Sequence, residues 1–238
     1  MLGILYLLLC FTSGWAICTF AFPGLLKITE SAYDKRAITV SPYFVAFPAW
    51  FISGTLFTAW VTYLTALLCR NAREPLIFGD TVSMLLSAIV TVAALFAKYR
   101  GKRNAAHIEL ITKDKKSSRI EIFLLAAVAL LAGSLMWTTF FIQGTKLYIG
   151  NSVFSDFSPH IGMIRSFSYG NNFPTQYSHF AGEDVKYHFM FQFLVGNLEF
   201  LGLRLDYAFN LPSIISFVSM FLLAYVLAVK ITAKISAG

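Results

Sequence analysis

The chain has 238 residues, of which 57% are hydrophobic and only 13% charged, and its net charge is +7. A soluble domain runs at about 45–50% apolar and about 25% charged, so too few charges are present to cover a water-facing surface. Soluble enzymes, secreted disulfide scaffolds and disordered tails are excluded; the partner named by composition is a lipid bilayer, and the basic excess is read as cytoplasmic Lys and Arg with no nucleic acid involved.

A membrane-crossing helix needs about 20 apolar residues. Residues 1–23 supply the first. With no basic flank and no small-residue cleavage site, they read as a retained helix rather than a signal peptide. Further spans are expected at 44–69, 76–97, 122–142 and 207–229, the last with Pro212 near its start as a first-turn residue or a kink. The expected fold is therefore all-α: a polytopic helical membrane protein of about five transmembrane helices plus an extracytoplasmic segment with juxtamembrane and amphipathic helices. Its regions are a three-helix part (1–97), a basic loop (98–119) and a span, outer loop and final span (120–238). Cys10, Cys18 and Cys69 lie in or beside apolar runs with no metal-ligand spacing, and read as small buried hydrophobes.

Orientation follows from the basic loop. Lys98, Arg100, Lys102, Arg103, Lys113, Lys115, Lys116 and Arg119 face only Glu109 and Asp114 there, which places the loop in the cytoplasm. The N-terminus then lies outside, Lys27, Lys35 and Arg36 lie inside, and the segment 143–206 begins outside a plasma (inner) membrane. Arg70 and Arg73 run mildly against this arrangement. If the last span returns, Lys230 and Lys234 end inside; if a helix at 185–202 crosses as well, they end outside.

The segment 143–206 holds His160, His179 and His188 together with Asp156, Glu183, Asp184, Glu199 and Asp206. Groups able to do chemistry are concentrated there. Ser158-Pro159 reads as an N-cap with Pro at the first helical position, opening a short helix that stops at Gly170. Asn171-Asn172-Phe173-Pro174 reads as a turn. A second helix is expected from Glu183-Asp184 to about Leu201, ending at Gly202, with His188, Gln192, Gly196 and Glu199 as a polar stripe. Asp184 and His188 then share a face at i,i+4, while Pro159 separates Asp156 from His160. A carboxylate beside an imidazole can share a divalent cation or form a base with its orienting partner. Tyr148, Tyr169, Tyr177 and Tyr187 read as an interfacial aromatic belt, and Asp80 as an interface charge.

The order of features in this half resembles the first extracytoplasmic region of GT-C-type membrane glycosyltransferases, and in particular a branch of large bacterial multi-pass proteins. The matching residues are Ser155-Asp156-Phe157-Ser158-Pro159-His160, Ile164-Arg165-Ser166-Phe167 and Gly170-Asn171-Asn172-Phe173-Pro174, followed by Phe180-Ala181-Gly182-Glu183, Tyr187-His188 and Leu211-Pro212-Ser213. The likeness covers roughly 120–230. It implies transfer of a sugar from a polyprenyl-phosphate carrier on the extracytoplasmic side, by an N-terminal part or a reduced relative of such an enzyme. The position matching the family's catalytic Asp is Asp156. His160, Arg165, Lys186 and His188 are the candidate substrate contacts, and Glu183 and Asp184 the candidate ligands of a divalent metal ion. The leaving phosphate needs positive charge or a helix N-terminus; Arg165 and Lys186 are the only basic side chains between Lys146 and Arg204. The competing readings are a transporter subunit, which puts polar groups at mid-bilayer, and a non-catalytic assembly protein, in which Asp156, Glu183 and His188 point apart. No nucleotide-binding Gly-rich loop, nucleophile elbow or HExxH motif is present.

Overall fold

The structure, a computed structural model, describes residues 2–25, 30–33, 36–101, 115–180 and 182–232. Among the described residues there are seven helices: α1 (Leu2–Ala21), α2 (Tyr43–Leu68), α3 (Pro75–Gly101), α4 (Lys115–Thr139), α5 (Phe154–Ser168), α6 (Met190–Phe200) and α7 (Leu205–Thr232). Five of these, α1, α2, α3, α4 and α7, are long and apolar enough to cross a bilayer. The protein is an all-α polytopic membrane protein. The centre of the basic loop (102–114), Lys27 and Lys35 lie outside the described residues; Lys98 and Arg100 sit in the last turn of α3.

The N-terminal helices pack by backbone contact. A Cβ on Gly14 of α1 would lie 1.8 Å from the Trp50 carbonyl oxygen, and one on Gly54 of α2 would lie 1.7 Å from that of Cys10. Small residues are what let two apolar helices approach this closely where lipid offers no hydrophobic drive for association. A seam of buried hydroxyls runs beside the contact: Thr58 bonds Ser87 at 3.0 Å, and Thr62 bonds Tyr6 at 2.9 Å and Ser83 at 2.7 Å. The N-terminal helices also pack on the later ones, α2 against α7 and α1 against α6.

Two short hairpins accompany the helices. β1 (Glu30–Tyr33) pairs with β2 (Arg36–Thr39), and β3 (Phe140–Gln143) pairs with β4 (Lys146–Ile149), both antiparallel. The second hairpin corrects the expected end of the fourth span. The helix stops at Thr139 instead of 142 because the next residues are taken by other partners. Ile142 N–H donates to the Asp206 carboxylate at 2.9 Å, and Asn210 donates to the Phe140 carbonyl at 2.7 Å. Gly144, at φ +61°, supplies the positive first position of the two-residue turn.

Asp206 is fully buried and also accepts two hydrogen bonds from Arg204, at 2.6 and 2.7 Å. It therefore ties the end of α4 to the start of α7. Asp206→Ala is expected to cost about 2 kcal/mol, because the Ile142 N–H loses its acceptor; thermal unfolding of the purified protein checks it. Pro212, the other helix signal near this end, lies inside α7 rather than in its first turn.

These contacts also fix the sidedness of the bundle. The start of α7, the end of α4 and the start of α1 meet at one end, where Gly3 N–H donates to the Leu201 carbonyl at 3.2 Å. The end of α2 joins them through Tyr63, whose hydroxyl bonds Thr175 at 2.9 Å. At the other end, Val226 and Val229 of α7 pack with Phe44 of α2 and Leu124 of α4. The 11 residues of α6 span only about 16 Å, against about 30 Å of hydrocarbon. It does not cross, and α7 runs back through the bundle.

Candidate functional site

Between α4 and α7 the chain builds a cap on one end of the bundle, and α6 is its core. Residues 192–199 of α6 are all buried. Its polar stripe does not face water: Gln192, Gly196 and Glu199 form the seam against α5. Gly196 is required there, since a Cβ would lie 2.5 Å from the Ile164 carbonyl oxygen. Glu199 accepts from Arg165 at 3.2 Å and from Ser168 at 2.8 Å. At its C-terminus α6 closes as the sequence predicts. Gly202 has φ +86°, its N–H bonds the Glu199 carbonyl, and Leu203 N–H bonds that of Leu198, a Schellman closure.

The N-terminus of α6 differs from expectation. The helix begins at Met190, not at Glu183. The backbone that would form the first turns is held in a small ladder: Gln176 pairs with Asp184, Tyr177 N–H bonds the Glu183 carbonyl at 2.9 Å, and Val185 N–H bonds that of Thr175 at 3.3 Å. His188 and Asp184 therefore do not share a helical face. Lys186 lies ahead of the helix rather than in its first turn.

Asn172 anchors this ladder to α5. Its amide nitrogen donates to Ser166 at 2.9 Å and to the Gln176 carbonyl at 2.8 Å, and its oxygen accepts from Gln176 N–H at 2.8 Å. Asn171 supplies the left-handed residue of the turn at φ 49°, a conformation Asn tolerates better than most. Asn172→Ala removes all three bonds, and faster amide hydrogen exchange confined to 173–186 is the expected result.

The start of α5 is also corrected. The helix runs from Phe154, so Ser158 is not its cap and Pro159 lies within it. Pro159 forfeits only the bond to the Ser155 carbonyl, near the exposed N-terminus where water can replace it. In consequence Asp156 stands in the first helical turn, and Asp156 and His160 share one helix face at i,i+4. Asp156 is exposed and makes no side-chain hydrogen bond or ion pair among the described residues.

A cavity of about 310 Å³ opens beside that face. Its walls bring together His160 of α5, His179 of the ladder loop, and His188 with Gln192 at the head of α6; Tyr177 and Tyr187 line it too, with Met163, Val185 and Phe189 as its apolar part. Gln192 is 94% buried, and its amide nitrogen reaches the Phe189 and His188 carbonyls at 3.2 and 3.3 Å while its oxygen accepts from His160 Nδ1 at 2.8 Å. That assignment, made from the hydrogen-bond network, puts the His160 proton on Nδ1 and leaves Nε2 an acceptor. The first turn of α6 has no side-chain cap, so its N–H groups add positive potential at this wall.

Asp156, His160 and His188 are thus the predicted residues found at or beside the cavity. Arg165 is not among them: it is spent on Glu199 and lines a separate cavity with Tyr169 and Arg204. Lys186, Glu183 and Asp184 are exposed and do not line the histidine cavity. Among the described residues no three His, Cys, Asp or Glu side chains converge on a point a metal could occupy. Sequence reasoning passed over His179 and Gln192 as site residues and took Tyr177 and Tyr187 for a belt. The signal for the first was present in three histidines within one short polar segment.

Fold and site together define a polytopic helical membrane protein with a histidine-lined cavity in a cap at one end of its bundle. Comparison with protein-family models, with curated proteins and with solved structures finds no match to the chain.

Proposed function

We propose that the chain is part of a GT-C-type membrane glycosyltransferase, and that its histidine-lined cavity takes the phosphate and sugar of a polyprenyl-phosphate donor. The observation that carries this reading is the gathering of His160, His179, His188 and the uncapped head of α6 around one cavity, one helical turn from the free carboxylate of Asp156. The Lys98 end of the bundle lies opposite, and the excess of Lys and Arg in the sequence beyond it supports a cytoplasmic position for that end. The cavity then opens on the extracytoplasmic side of the plasma membrane.

The roles follow from chemistry. Asp156 accepts the proton of the acceptor hydroxyl, whose oxygen forms a bond to the anomeric carbon. The bond from that carbon to the carrier phosphate breaks, and its electron pair leaves with the polyprenyl phosphate. Such a leaving group needs little protonation, so one general base suffices. Hydrogen-bond donors at the phosphate stabilise the departing charge; the α6 N–H groups, His179 and His188 supply them, while the Nε2 of His160 accepts. Starting the helix at Met190 helps, since Glu183 and Asp184 no longer stand in its first turn to repel an anion. The test is release of a radiolabelled sugar from a polyprenyl-phosphate carrier to acceptor in proteoliposomes, with Asp156→Asn as the paired variant.

A further inference from the structure

A buried carboxyl outside the cavity has no Lys, Arg or His partner among the described residues. Asp80 on α3 is 4% exposed and Asn197 on α6 is 0% exposed. Asn197 Nδ2 donates to Asp80 Oδ1 at 2.8 Å. The second oxygen of each side chain, Asp80 Oδ2 and Asn197 Oδ1, is buried with no hydrogen-bond partner. One hydrogen-bonded pair therefore carries an orphaned acceptor on each member.

The neighbouring donors are already committed. Ser83 Oγ donates to the Asp80 backbone carbonyl at 3.2 Å. Thr62 has one hydroxyl proton, directed to Ser83 Oγ at 2.7 Å or to the Thr58 carbonyl at 2.9 Å. With that proton spent, Tyr6 is the donor in its 2.9 Å bond to Thr62, beside the Asn197 amide. The titratable groups facing the region from α1 are Tyr6 and Cys10; α2 presents the hydroxyls of Thr58 and Thr62. On α6 the one acid, Glu199, is paired with Arg165 on the other seam, and Arg204 is paired with Asp206. A bare carboxylate in such a place is costly, and two unmatched acceptors add to that cost.

We infer that Asp80 is a proton-binding site: its carboxyl holds a proton on Oδ2 and donates it to Asn197 Oδ1, closing a two-bond carboxylic acid–amide ring between α3 and α6. One proton satisfies both orphaned oxygens. α6 is then pinned on two seams, by this ring to a membrane-spanning helix and by Gln192 to His160. The proton on Asp80 thereby holds one wall of the cavity in place. The ring stands independently of the proposed sugar transfer.

The experiment is infrared spectroscopy of the full chain in lipid nanodiscs at neutral pH, wild type against Asp80→Asn, with thermal unfolding of both. The expected spectrum has a protonated-carboxyl C=O band that is lost in Asp80→Asn. Because an Asn there can donate to Asn197 Oδ1 in the same geometry, the variant is expected to fold and to melt at or above the wild-type temperature, whereas Asp80→Ala melts lower. Absence of the band, its survival in Asp80→Asn, or failure of Asp80→Asn to fold would overturn the inference. Stabilisation of wild type, but not of Asp80→Asn, by NaCl over choline chloride would overturn it in favour of a bound sodium ion.

Discussion

Asp156→Ala is expected to lower sugar transfer by about 10²–10⁴-fold, the usual contribution of a positioned general base, while leaving membrane insertion and melting temperature near wild type. The asymmetry follows from where the side chain sits. Asp156 is exposed in the first turn of α5 with no side-chain partner among the described residues. Its structural role is limited to its favourable place at a helix N-terminus, about 0.3–1 kcal/mol. Asp156→Asn keeps the shape and removes the basicity, so it should be as inactive as Ala. Initial rates of labelled-sugar transfer, measured beside a melting curve for each variant, separate the two effects. Full activity in Asp156→Asn would remove the base role.

The largest structural effect is expected at the α1–α2 contact. Gly54→Val places a branched side chain where even a Cβ would lie 1.7 Å from the Cys10 carbonyl oxygen. The obstruction is backbone, so no rotamer relieves it, and α1 must move away from α2. Overpacking of a close-packed interior costs about 1–3 kcal/mol when side chains can adjust, occasionally more; with backbone on both sides the loss should reach the upper end or exceed it. Moving α1 would also disturb the Tyr6–Thr62–Ser83 hydroxyls and the Gly3–Leu201 bond that ties α1 to the cap. Gly133→Ala on α4, with nothing within 4 Å of the new Cβ, is the control and should be neutral or slightly stabilising. Unfolding followed by intrinsic fluorescence in detergent distinguishes the pair.

The spans were legible because length and hydropathy alone decide whether a helix crosses lipid, and neither depends on tertiary partners. The C-terminus of α6 was legible for a similar reason: Gly202 adopts a positive φ that few other residues reach. What the sequence concealed was decided by remote hydrogen bonds. Asp206 and Asn210 stop α4 at Thr139, and the ladder between Gln176 and Asp184 delays α6 to Met190. Pro159 suggested a boundary but is tolerated inside α5. The stripe of Gln192, Gly196 and Glu199 has a helical period that fits a wet face as well as a buried seam; only the partner helix α5 distinguishes them. The same holds for Arg165, whose partner Glu199 lies on the next helix, and for Asp80, whose partner lies 117 residues away in the chain.

The proposed donor site is tested most directly by photocrosslinking. The full chain in nanodiscs is exposed to a polyprenyl-phosphate sugar carrying a photoreactive group on the sugar, and the modified peptides are mapped. The proposal predicts labelling within 159–163 and 177–192, around His160, His179 and His188, that excess unlabelled carrier suppresses and that persists in Asp156→Asn, where binding survives without turnover. Labelling confined to the lipid-facing surfaces of α3 and α4, or labelling of the cavity that unlabelled carrier does not suppress, would contradict it.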